Sequence, residues 1–247
     1  FIGVLMLFYS SIEKIVLYTL FISTISFFVF IIYFVYCRIT FNKVKIVLVK
    51  DHSDLKATYT FFSWNMLGSL ASVLKNQGTN TVLNVFYGPI LNTARGIAFQ
   101  LNGVINMFVF NFTQAIKLQI YKYYADSKFD ELNDLVVKSS KYQFFIVILI
   151  SYPLLFETKF ILDLWLKDYP YSAIIFTQLA IILSIVDSLS YSLMAAVLAT
   201  GKIKLYSILV SGLIILNIPF SYYFLQYDLP PYIIVVISIL ISIIAFF

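Results

Sequence analysis

Apolar stretches long enough to cross a bilayer recur along all 247 residues, separated by short polar breaks. Within each stretch the apolar residues cover every face of a helix. A transmembrane barrel would instead show alternating positions, and that pattern is excluded. The spacing predicts helices over 1–11, 15–36, 58–87, 90–116, about 130 to 156, 172–199, 204–226 and 231–247. Asp51-His52-Ser53-Asp54 precedes the third, Gly88-Pro89 divides the third from the fourth, and Gly201 ends the sixth. Pro230-Pro231 opens the last helix, where a missing backbone N–H does no harm. The expected fold is an all-α polytopic transmembrane bundle with about six complete and two truncated spans. Phe1 and Phe247 each lie inside an apolar run without a signal peptide, so an internal piece of a longer protein is expected.

Composition supports the membrane setting. The chain is 61% hydrophobic and 12% charged, with mean hydropathy +0.92. A soluble domain carries roughly 25% charged residues. Cys37 and His52 are each the sole residue of their type, which leaves no material for a disulfide or a Cys/His metal centre. Neither a cofactor nor a nucleic-acid partner is expected.

Lysine and arginine then orient the bundle. Connections on one side hold Arg38, Lys43, Lys45, Lys50, Lys56, Lys117, Lys122, Lys128, Lys138, Lys141, Lys202 and Lys204. Those on the other side hold Lys14, Lys159 and Lys167. The positive-inside rule makes the richer side cytoplasmic, with loops 37–57, 117–141 and 200–204 there. Segment 37–57 (CRITFNKVKIVLVKDHSDLKA) admits two readings, an amphipathic stretch along the headgroups or a simple linker. Segment 157–171, with Trp165 and Tyr169, suits an interfacial helix on the outer surface.

Polar residues inside the predicted spans carry the candidate chemistry. On the helix 90–116, Arg95, Asn102, Asn106 and Thr113 fall within about 40° of one another, with Gly96 and Gly103 on an adjacent face open to close approach. Asn65, Ser69, Ser72, Asn76 and Thr79 form a second stripe on one side of the helix 58–87. Serines and threonines there also suit interhelical glue, worth about 0.6 kcal/mol per hydrogen bond. Arg95 lies near enough to its helix end to snorkel to headgroups, and Lys75 falls in an outer loop if the helix stops near Leu74. Asp187 lies near mid-span, with Ser184 and Tyr191 on its side. An ionised acid there costs roughly 2.5–3.5 kcal/mol, so a wet cavity or a buried partner is expected to meet it. Lipid cannot solvate such stripes, and the two are expected to line a hydrated cavity whose cations and amides suit an anionic, sugar-bearing ligand.

The run QGTNTVLNVFYGPILNTARGIAFQLNGVINMFVFNFTQAIKLQIYKYYADSKFDEL (77–132) resembles bacterial polysaccharide flippases of the Wzx type, in the superfamily of the MATE drug exporters and MurJ lipid II flippases. FFSWNMLGSLASVL (61–74), YPLLFETKFILDLWLKDYP (152–170) and LATGKIKLY (198–206) are similar to the same family in order and spacing. The resemblance implies two six-helix lobes around a central cavity. Residues 1–36 would then end the N-terminal lobe, 37–57 would be the cytoplasmic inter-lobe linker, and 58–247 would form the C-terminal lobe with its last helix truncated. It further implies a multi-pass protein of the bacterial inner membrane that moves an undecaprenyl-pyrophosphate-linked oligosaccharide by alternating access, for O-antigen, capsule or exopolysaccharide. Its implied partners are that substrate, the bilayer and other polysaccharide-assembly proteins. Lys75 and Arg95 are then the expected phosphate contacts, with Asn76, Asn80, Asn102 and Asn106 as hydrogen-bonding residues. Asp187 is the candidate for coupling to H+ or Na+, on the intramembrane-charge argument alone.

A MATE-like antiporter is the first alternative, and it calls for a cavity rich in acids and aromatics. A membrane polymerase or glycosyltransferase is the second. It needs a sizeable catalytic loop, whereas the longest outer connection is about 15 residues and shows no catalytic constellation. A transporter rather than an enzyme is expected.

Overall fold

The computed structural model describes residues 14–40 and 52–246, and its elements are all helices. The expected helix 1–11 and most of the linker 37–57, including Lys43, Lys45 and Lys50, lie outside the described residues. The chain divides into two compact units, Phe1–His52 and Ser53–Phe247.

The first unit contains α1 (Lys14–Thr40), which runs past the predicted end at 36 and takes Arg38 into its last turn. Its described side chains are exposed on nearly all sides, with Phe30 and Phe34 stacked at 6.3 Å and Arg38 over the Phe34 ring. A helix that is apolar all round wants hydrocarbon or protein on every face.

The second unit contains α2 (His52–Tyr87), α3 (Pro89–Ala125), α4 (Phe129–Phe156), α5 (Thr158–Trp165), α6 (Ser172–Ser188), α7 (Tyr191–Ala199), α8 (Lys204–Gln226) and α9 (Ile233–Phe246). The long elements alternate in direction. Gly88, at φ 74°, breaks α2 from α3, and Pro89 starts α3 where no intrahelical amide is needed. Three apolar clusters lie one above another. Leu83, Ala94, Leu162, Phe176, Leu225 and Ile234 fill the Gly88 end. Ile105, Val109, Val147 and Ile181 fill the middle, and Ile120, Leu132, Val136 and Ala195 fill the Thr200 end. Helix α3 packs on α4, α6 and α7, and α9 closes on α6 and α8.

Among the described residues, four stretches are long and apolar enough to cross a membrane: 19–40, 129–156, 172–199 and 204–226. The sequence predicts about six complete spans. Helices α2 and α3 have ample length, 36 and 37 residues or about 55 Å. Their polar stripes lower their apolarity below that of the other four. Helix α9 is strongly apolar but has only 14 residues.

Helix α2 begins at His52 rather than at 58, so residues 52–57 of the expected linker are helical, and three further differences from the predicted elements have local causes. Helix α3 continues past 116 to Ala125, because Lys117 and Lys122 are good helix formers and nothing breaks the ladder before Ser127, at φ 57°. The single helix expected over 172–199 is jointed at Leu189 and Ser190, whose N–H groups donate three residues back to Val186 and Asp187. Ser188 also donates its hydroxyl to the Ile185 carbonyl. Such local side-chain bonding competes with the regular helical ladder. Segment 157–171 forms a helix only over 158–165; beyond it the chain is held by the Tyr169 phenol, which donates to Asp163 at 2.5 Å.

Glycine packing also differs from expectation. Gly96 and Gly103 are exposed, and a Cβ at either would meet nothing within 4 Å among the described residues. Close approach occurs instead at Gly78, where a Cβ would stand 2.6 Å from the Ile218 Cδ1 of α8.

Candidate functional site

Helix α2 meets its neighbours chiefly along one edge. Gly78 and Thr79 rest on α8, and the Tyr87 hydroxyl donates to the Leu229 carbonyl. Toward the Thr200 end α2 still approaches α8 at Gly68, where a Cβ would stand 3.9 Å from the Ser211 hydroxyl, and a gap opens beside this line at Ser72, Lys75 and Asn76. The gap contains a cavity of about 300 Å³, within the range of about 300–1,000 Å³ typical of small-molecule sites.

Four helices and the α6–α7 joint wall this cavity. Helix α2 contributes Ser72, Lys75 and Asn76, the joint contributes Asp187 and Ser190, and Tyr191, Tyr206 and Ser242 complete the polar lining. Lys75 therefore belongs to a continuous helix, and the outer-loop reading of it does not hold. The Asp187 carboxylate accepts a hydrogen bond from Ser242, and Lys75 is close enough to feel both Asp187 and Arg95. Two cations against one carboxylate leave the neighbourhood net positive, which favours an anionic guest.

Arg95 stands beside this cavity. Its side chain is only 7% exposed, so it does not snorkel to the surface. One guanidinium nitrogen donates to the Asn80 side chain, and the group lies over the Phe99 ring at 4.5 Å. Its Nε is buried and has no partner among the described residues. An unpaired buried donor on a cation is an exception in folded proteins, and it leaves Arg95 able to take another acceptor.

The remaining predicted residues sit elsewhere. Asn102 is buried and accepts from the Ser184 hydroxyl, which also reaches Asn106 at 3.5 Å. Both amides are thus engaged in the seam between α3 and α6, outside the cavity lining. Ser184, expected beside Asp187, faces the same seam. Thr113, further along the stripe, accepts from Gln143 Nε2 at 2.7 Å, and Gln143 in turn accepts from Ser192. One stripe on α3 therefore serves three neighbours: α2 at Arg95, α6 at Asn102 and Asn106, and α4 at Thr113. Arg95 reaches α2 at Asn80, which lies beside the α2 stripe rather than in it.

Sequence reasoning passed over Tyr206 and Ser242. Ser238 and Ser242 are spaced i, i+4 in an otherwise aliphatic helix, a signal that two serines share one inward face. Tyr206 opens α8 next to a lysine pair and carried no comparable signal. Comparison with protein-family models, curated proteins and solved structures finds no match.

Proposed function

We propose that the chain is part of a flippase that carries an undecaprenyl-pyrophosphate-linked oligosaccharide across the bacterial inner membrane by alternating access, supplying surface polysaccharide. The observation that carries this reading is the cavity at Lys75, Asn76 and Asp187, with Arg95 and Asn80 beside it. Lys75 and the unpaired Nε of Arg95 are the groups for phosphate oxygens, Asn76 offers amide bonds to sugar or phosphate, and a lipid tail would stay in the bilayer. At about 300 Å³ the cavity matches a pyrophosphate with its first sugar rather than a whole repeat unit. Asn102 and Asn106 act in this scheme as packing residues that hold α3 against α6. Asp187 is the coupling candidate for H+ or Na+.

The test is made in the cells that carry the protein. Lys75→Ala or Arg95→Ala is expected to reduce surface polysaccharide about 10- to 100-fold, the loss of one charge-assisted hydrogen bond at about 1.5–3 kcal/mol. Wild-type polysaccharide in both variants, with the protein present in the membrane, would remove the phosphate-site reading.

A second reading draws on a different observation. Asp187 shares its cavity with Tyr191 and Tyr206, an acid between aromatics that suits an organic cation exchanged for protons or sodium. A MATE-like antiporter predicts drug resistance in a sensitive host, abolished by Asp187→Asn. Absence of resistance counts against it.

A further inference from the structure

A larger cavity, about 780 Å³, opens between the start of α2 and the α7–α8 connection, distinct in its lining from the one above. Lys56, Lys202 and Lys204 line it together with Trp64, and among the described lining residues none is acidic. Its walls also include Phe61 and Leu205, giving a cationic mouth over an apolar floor.

The backbone explains why the lysines gather there. Gly201 takes φ 68°, which turns the chain sharply after α7, and the Lys202 N–H donates to the Thr200 hydroxyl at 3.1 Å. Ile203, 2% exposed, pins the turn to the protein, so the lysines on either side of it face the opening. The Lys204 ammonium lies 5.5 Å from the Trp64 ring centroid, tying α8 to α2 across the mouth. Helix α8 begins at Lys204 with Ile203 as its cap residue and no side-chain capping bond, so its first-turn N–H groups add to the positive field.

We propose that this cavity binds the phosphate headgroup of an acidic phospholipid from the leaflet at the Thr200 end. Three lysines attract the phosphate, Trp64 sits where amphipathic rings favour headgroup depth, and the apolar floor receives the start of the acyl chains. The site is independent of the flippase reading, since it shares no residue with the cavity at Lys75. Occupation would reinforce the contact that Trp64 and Lys204 already make between α2 and α8 at this end.

The chain has two tryptophans, so Trp165→Phe leaves Trp64 as sole reporter. The purified protein in phosphatidylcholine micelles is titrated with phosphatidylglycerol while Trp64 emission is followed. A saturable change is expected, weakened about thirtyfold by Lys202→Gln with Lys204→Gln, each lysine contributing about fivefold. The corresponding arginine pair retains binding, and Lys128→Gln with Lys138→Gln, at the same end but outside the cavity, leaves it unchanged. Lys56→Gln, on the α2 side, should weaken binding about fivefold and stands as an independent check should the double variant misfold. Undiminished binding in both the double and the Lys56 variants overturns the proposal. An equal loss from the Lys128 and Lys138 pair also overturns it, by showing surface charge alone. The same emission change with inorganic phosphate at equal concentration replaces the lipid site with a free-anion site.

Discussion

Asn217 offers a sharp test of how polar groups hold this bundle together. It is fully buried in α8 and reaches two other helices. Its Nδ2 donates to Ser238 of α9 at 2.8 Å, and its Oδ1 accepts from Thr79 of α2 and from Ser221, both at 3.3 Å. The Thr79 hydroxyl has one proton, and it lies closer to the Lys75 carbonyl, at 2.5 Å. The Thr79 contact should therefore contribute little. Ser238 can accept from Asn217 while donating its own proton to the Ile234 carbonyl, so that link is geometrically unopposed. Intramembrane bonds average about 0.6 kcal/mol and reach about 1.7 at most. Asn217→Ala should thus cost about 1–2 kcal/mol in all. In double-mutant cycles, coupling to Ser238→Ala should lie near 0.6 kcal/mol or above, and coupling to Thr79→Ala within about 0.3 kcal/mol of zero. Reversible unfolding in bicelles, by steric trapping, measures both cycles on one scale. Equal couplings, or a larger one to Thr79, would refute the assignment of the proton and with it the ranking of the two helix contacts.

Other outcomes follow from the same geometry. Gly78→Ala drives a methyl into Ile218 and should destabilise by about 1–3 kcal/mol, with Ile218→Val, which removes the clashing Cδ1, recovering most of it in the same unfolding assay. Asp187→Asn and Lys75→Met should each destabilise, and the pair together should cost less than the sum by about 1 kcal/mol, because each single change strands the other charge. In the connection after α5, the bond to Asp163 raises the Tyr169 phenol above the ordinary tyrosine range. The bond's stabilisation is therefore fully present below the unfolded value, about pH 10, and is lost as pH climbs through the raised one. An ultraviolet titration should show this phenol ionising late, and Asp163→Asn should return it toward the usual range.

Helix positions were largely legible because turns announce themselves locally. Gly88-Pro89 and Gly201 each act through their own backbone chemistry, whereas the polar run expected to precede α2 is taken up into its first turn from His52. The joint at Leu189 was not legible, since the competing bond from Ser188 depends on which way a hydroxyl points. The polar stripes were legible as faces and illegible as partners. A helical wheel gives the angle of Asn102 without saying that α6 lies there, and a helix of 37 residues passes several neighbours along one face. Lys75, Asn76 and Asp187 converge on one cavity as intramembrane charge suggested, whereas Asn102 and Asn106 were assigned to it only because they shared an angle with Arg95. Asn217, which bonds to three side chains, stood alone in an apolar run and raised no flag. Burial on all sides, which made it structurally important, also hid it from any reading based on amphipathic faces.

The joint between α6 and α7 has a mechanical consequence. Bonds that skip only three residues are poorly aligned, so a helical rod bends most readily there. Asp187 is held on the rim of that elbow, its carbonyl bound to Ser190 and its carboxylate to Ser242. A few degrees of flexure at the elbow would swing the acid toward or away from Lys75, while the long seam of α6 on α3 stayed clamped.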